Sequence, residues 1–141
     1  YRAPEVILSM GWNERSDLWS TGCIVMELYT GELLFRTHES LEHLSLMERS
    51  LDRFPPELLA KASQPDGRFV VKDPRSSWQL RVPESIESVG KVKQQKPLNK
   101  LVQKEHVSVA NFSSSMLVLD PARRPSARRA LKHEFLFESF P

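Results

Sequence analysis

The side chains able to do chemistry are spread thinly along these 141 residues, and their spacing removes several chemistries at once. His38, His43, His106 and His133 form no i, i+4 pair and have no set of cysteines beside them, so the ligand spacing of a zinc site is missing. Glycine is scarce and never builds a Gly-rich loop leading into a helix, which leaves no phosphate cradle and no dinucleotide fingerprint. No serine-hydrolase pattern occurs. The lone Cys23 excludes an intramolecular disulfide, and its apolar neighbours suit a buried thiol in a reducing compartment. What remains are charges: Arg2, Glu5, Asp17 and Arg124. By residue type alone, Glu5 and Arg124 read as two exposed charges far apart in sequence, Asp17 as a helix N-cap and Arg2 as a solvated arginine.

Two basic groups could recognise a partner. Lys91, Lys93, Lys96, Lys100 and Lys104 lie in a stretch, 90–104, that contains no acid. Such a run is a solvated loop in the plain reading, and a docking patch or nuclear-import-like cluster in the sharper one. Arg123, Arg124, Arg128, Arg129 and Lys132 form the second group. A net charge of +2 is too small to make nucleic-acid binding a property of the whole chain, so no direct nucleic-acid contact is expected, although a small basic nucleic-acid-binding protein stays open as a rival class. With 40% hydrophobic and 27% charged residues the composition is that of an ordinary soluble fold. No run of about 18 apolar residues occurs, so nothing argues for a membrane span.

The elements that must position these charges are mainly helices. Ser16 or Asp17 is placed to cap a helix running to about Thr30, where Gly31 supplies a stop. Leu18, Trp19, Cys23, Ile24, Val25, Met26, Leu28 and Tyr29 occupy nearly its whole circumference, which predicts burial on every side. Ser40 is placed to cap a second helix to about Leu51, with Leu41, Leu44, Met47 and Leu51 at helical spacing. Pro56 opens a short helix through Leu58, Leu59 and Ala62. Between Ser63 and Lys104 the pattern fades into a loop-rich region, 63–104, in which only 68–71 and 78–82 read as strands, expected to form a small hairpin. A helical pattern returns over about Val107 to Leu119, and Ser126 caps a last short helix through Leu131. Phe135, Leu136 and Phe137 then offer apolar surface to dock the chain end.

Four blocks follow one another in a telling order. Tyr1-Arg2-Ala3-Pro4-Glu5 resembles the A-P-E end of a protein-kinase activation loop. Asp17-Leu18-Trp19-Ser20-Thr21-Gly22 is similar to the D-x-W-S-x-G opening of the long buried helix of the kinase large lobe, and Asp120-Pro121-Ala122-Arg123-Arg124 to its D-P-x-x-R segment. Ala130-Leu131-Lys132-His133-Glu134-Phe135 resembles the closing A-L-x-H-P-F helix, with Glu134 in place of proline. Within the branch holding the cyclin-dependent, MAP and CDC-like kinases, Glu42-His43-Leu44-Ser45-Leu46-Met47-Glu48-Arg49 resembles the E-H-L-A-M-M-E-R signature of the LAMMER kinases, departing at Ser45 and Leu46.

The resemblance implies a mainly α fold over residues 1–141, the large lobe from the activation-loop end onward, with 63–104 as the insert of that branch. It implies a buried ion pair between Glu5 and Arg124, a role for Asp17 in holding backbone N–H groups of the catalytic loop, and a place for Arg2 at the wall of the pocket next to the phosphorylated residue. A first residue inside a loop motif reads as a fragment, with the residues that hold ATP and Mg2+ in the full-length parent lying upstream, so that no catalytic, cofactor or metal residue is assigned here. The expected activity of that parent is phosphoryl transfer to Ser or Thr, with Tyr allowed on itself, on Arg/Ser-rich splicing factors in the nucleus or also the cytoplasm. A pseudokinase-type protein-binding module is the alternative.

Overall fold

Pro4 sits in the first turn of α1 (Pro4–Ile7), where its missing N–H costs nothing and its fixed φ favours the helix. The computed structural model describes residues 1–63, 67–75 and 77–139. The long helix α2 (Arg15–Thr30) ends at Gly31, whose φ of 76° is the left-handed cap that glycine adopts without strain. Its start differs from expectation. Neither Ser16 nor Asp17 caps it: Asn13 Oδ1 accepts from the Arg15 N–H at 3.0 Å, the helix begins at Arg15, and Asp17 lies within the first turn. There its charge favours the helix dipole without bonding an orphan N–H.

In α3 (Ser40–Ser50) the cap is Glu39, one residue before the expected Ser40. Its two carboxylate oxygens accept from the N–H groups of Leu41 and Glu42 at 2.9 and 2.6 Å, so one side chain satisfies two orphan donors. Pro56 opens α4 (Pro56–Ala62), whose Leu58, Leu59 and Ala62 are buried. The hairpin forms from β1 (Val70–Lys72) and β2 (Trp78–Leu80), antiparallel, with Val70 opposite Leu80.

The insert is more ordered than its punctuated sequence suggests. Ser85 caps α5 (Ile86–Gln94) by accepting from the Ser88 N–H at 3.0 Å. Gly90 and a polar composition weaken this helix as a local preference, and contacts with α3 support it instead. Single 3-10 turns follow at Leu98–Lys100 and Lys104–His106, then α6 (Val107–Met116), which stops short of Leu119 because the Asp120-Pro121 turn has to begin. Ser126 caps α7 (Ala127–Ala130), accepting from the Arg129 N–H as expected, and a last 3-10 turn covers Glu134–Phe137.

The core gathers around α2. Trp19 and Met26 are fully buried, and Cys23 is buried with its thiol pushed up to about 11, first by desolvation. Gly22 is needed where α2 meets α6: a Cβ there would lie 2.8 Å from Leu117 Cγ, and the buried Ser113 hydroxyl donates to the Gly22 carbonyl at 2.8 Å. Within residues 1–141 part of the apolar circumference of α2 has no cover. Ile24 and Leu28 are 43% and 82% exposed and, with Tyr1, line an open groove of about 620 Å³. Of Phe135, Leu136 and Phe137, Phe135 alone docks, stacked on Phe112 at 5.0 Å, while Leu136 and Phe137 stay exposed. Among the described residues no helix is long and apolar enough to cross a membrane.

Candidate functional site

Asp120 begins the turn that aims the site's central cation. Its backbone carbonyl accepts from the N–H groups of Arg123 and Arg124, both at 3.1 Å, and its carboxylate accepts from the Ala122 N–H at 2.9 Å. This Asx turn leaves Arg123 in solvent and turns Arg124 inward, where it is 0% exposed.

Glu5 approaches from α1, itself only 2% exposed. Arg124 Nη1 and Nη2 donate to its two carboxylate oxygens at 2.7 and 3.0 Å, a bidentate fork. Arg124 Nη1 also donates to the Arg15 carbonyl at 2.8 Å and Nε to the Val118 carbonyl at 3.0 Å, while the guanidinium lies 5.3 Å from the Trp19 ring. Arg15 in turn donates to the Arg124 carbonyl. One side chain thus ties α1, the start of α2 and the segment after α6. A buried charge is tolerable only when its bonding directions are filled, and here the guanidinium makes four hydrogen bonds.

The other two expected residues lie apart from this knot. Arg2 is exposed at the chain's start, close enough to α3 for its charge to act on His43. His43 is buried against the Phe35 ring and its pKa is lowered to about 4, by desolvation above all, with the positive charge of Arg2 adding. Asp17 is exposed on the first turn of α2, and its carboxylate has no hydrogen-bond partner among the described residues.

The eight-residue segment Glu42 to Arg49 divides its polar work in a way that spacing alone does not reveal. Glu42 is buried and accepts from the Ser88 hydroxyl at 2.5 Å and from Lys91 Nζ at 2.9 Å, bolting α3 to α5. Glu48 accepts from the Phe54 N–H at 2.9 Å, and burial holds its carboxyl above the usual range. Arg49 faces solvent. Gln95 extends the bolt, donating to the Leu34 carbonyl at 3.1 Å and to the Ser50 hydroxyl at 2.7 Å. Nothing in the sequence marks Ser88 and Gln95, which sit in the insert, although Ser85 three residues before Ser88 is a recognisable cap.

No group of three or more His, Cys, Asp or Glu able to hold a metal ion occurs among the described residues.

The family described as "Protein kinase domain" matches residues 1–136. The chain is 42% identical, over 99% of its length, to the serine/threonine-protein kinase AFC3 of Arabidopsis thaliana, of which it covers 36%. It is 39% identical, over 96% of its length, to the dual specificity protein kinase CLK1 of Homo sapiens, covering 27% of that protein. A solved kinase-domain crystal structure superposes with a TM-score of 0.88 at 46% identity, covering 96% of this chain and 40% of that one. The chain thus spans about a third of the length of the relatives it matches.

Proposed function

The chain belongs to the protein kinase domain family and resembles its LAMMER-type members, and from that premise we propose that it forms the substrate-facing part of the large lobe in a kinase transferring the ATP γ-phosphoryl to Ser or Thr. Tyr on the same protein is a further acceptor, and the substrates are Arg/Ser-rich proteins, splicing factors in particular, met in the nucleus. The carrying observation is the Glu5–Arg124 fork, which fixes the end of the activation loop to the base of the lobe. Phosphoryl transfer depends on holding substrate and nucleotide in line. An anchor that cannot drift serves that need. When bound, ATP and Mg2+ supply the transferred group and the neutralising charge, and they are held by other parts of the full-length protein.

Two residues of this chain have positioning roles in this reading. Arg2, exposed beside the anchored loop end, lines the pocket for the residue that follows the acceptor. Asp17, whose carboxylate is exposed and unengaged among the described residues, holds backbone N–H groups of the catalytic loop.

The test is the full-length protein with labelled ATP, magnesium and an Arg/Ser-rich peptide. Transfer is expected to Ser, and Asp17→Asn is expected to lower kcat with little change in peptide KM, because a positioning residue is felt in the transition state. The 141-residue chain by itself is expected to transfer no label. Failure of the full-length protein to transfer, with the peptide still bound, would instead favour a protein-binding module.

A further inference from the structure

Of the two lysines two residues apart on α5, Lys91 is engaged by Glu42, whereas Lys93 points to the opposite use. It stands at the rim of a groove of about 370 Å³ between α3, the exit of β2 and α5. The α3 wall is Ser45, Glu48 and Arg49, and the α5 wall is Val89, Val92 and Lys93, each set at spacings of three and four and so on one helix face. The floor is apolar, made of Leu80, Val82, Val89 and Val92, with Val82 76% exposed. Around it stand Arg49, Arg53, Arg81 and Lys93, all exposed, and none of these side chains has a hydrogen bond or ion pair to a described residue.

The single acid on the lining, Glu48, answers this charge only in part: Arg53 attracts its carboxylate, but that carboxylate is turned to the Phe54 N–H, and burial favours its neutral form. Arg49, Arg81 and Lys93 are thus left over an apolar seat, with Arg53 answered only in part by Glu48, and this is the complement of a short acidic segment carrying one apolar residue. The same charge repels an unmodified Arg/Ser-rich stretch, so the occupant differs from the substrate proposed above.

We propose that this groove docks an acidic peptide segment of a partner protein, one apolar side chain seated on Leu80, Val82, Val89 and Val92 and flanking Asp or Glu carboxylates paired with Arg49, Arg53, Arg81 and Lys93. Carboxylates meet arginine as bidentate partners, and three of the four cations are arginine. The apolar seat supplies affinity, and the rim charges supply approach rate and selectivity.

The experiment measures binding of a fluorescent peptide, one Leu flanked by Asp and Glu, to the full-length protein by anisotropy. Arg49→Glu combined with Arg81→Glu is expected to weaken it by about tenfold or more, since two attractive contacts become repulsive. Replacing the peptide's Leu with Ser is expected to weaken it similarly, while Arg128→Glu, on the exposed side of α7, leaves it unchanged. No measurable binding, unchanged affinity in the double variant, or indifference to the Leu overturns the proposal. So does single-stranded RNA or a phosphoserine peptide binding where the carboxylate peptide does not. Kinase activity measured on the same samples separates this outcome from any failure of the proposed activity: transfer without peptide binding removes the groove's role alone.

Discussion

Two carboxylate–guanidinium couples in this chain behave in opposite ways. Glu5 and Arg124 are 119 residues apart in sequence and meet in full burial, with both carboxylate oxygens and the guanidinium engaged. Glu48 and Arg49 are sequence neighbours in one signature and do not meet: the glutamate turns in to the Phe54 N–H, and the arginine turns out to solvent at the groove. Desolvation explains the contrast. A buried charge must be matched bond for bond, so the first couple is a structural unit. An exposed charge is already satisfied by water, so the second leaves its arginine available to a partner at little cost.

The largest effect breaks the buried couple. In the full-length protein Glu5→Ala and Arg124→Ala are each expected to destabilise the lobe by about 3–5 kcal/mol, because each strands the other's charge away from water. The double variant is expected to lose less than the sum, since removing both charges relieves that penalty. Denaturant melts of the two single variants and the double variant measure the coupling, and strict additivity would refute the pairing as the source of the loss.

The next effect asks whether α3 separates inner from outer charge as this contrast requires. His43 lies on the buried side of the helix, with its pKa lowered from 6.5 to about 4. The folded state therefore keeps it neutral, while the unfolded chain takes up a proton below about 6.5. Stability is unaffected by this group above pH 7 and falls as pH drops through the window from 6.5 to 4, by up to about 3 kcal/mol. His43→Leu is expected to flatten that part of the pH dependence. Unfolding followed through the fluorescence of buried Trp19 at pH 7.5 and pH 5 checks it, and an equal loss in both proteins would assign the slope elsewhere.

These contrasts were unequally legible in the sequence. The helices α2, α3, α4 and α6 follow from apolar spacing and from Gly31 and Pro56, and the hairpin from two short β-rich runs. That Arg124 rather than its neighbour faces Glu5 came from motif resemblance, and the Asp120 turn gives it a physical cause. The start of α2 before Ser16 and the cap of α3 at Glu39 rather than Ser40 are not legible in residue type, because several polar residues compete at each helix start and only the chain's path selects among them. Helix α5 was illegible for a different reason: its support comes from Glu42 and Ser50, more than forty residues away.

The smallest effects sharpen the comparison at α5, where the same residue type stands on both sides of it. Lys91 donates at 2.9 Å to Glu42, a carboxylate only 5% exposed, although the lysine itself keeps 44% of its side-chain surface in water. Lys91→Ala is therefore expected to cost about 1 kcal/mol, less than a fully buried hydrogen bond to a charged group, because water can reach the vacated place and Ser88 still donates to Glu42. Lys93→Ala, two residues on, removes an exposed ammonium with no partner among the described residues and is expected to change stability by less than about 0.5 kcal/mol. Arg49→Ala and Arg53→Ala fall in the same class. Thermal or denaturant unfolding of the four variants, in low and moderate salt, measures the difference. Lys91→Ala should lose part of its effect as salt rises, because its interaction is half exposed. A Lys93→Ala loss equal to that of Lys91→Ala would mean that the groove's rim belongs to the fold, and its cations would then not be free to receive an acidic segment.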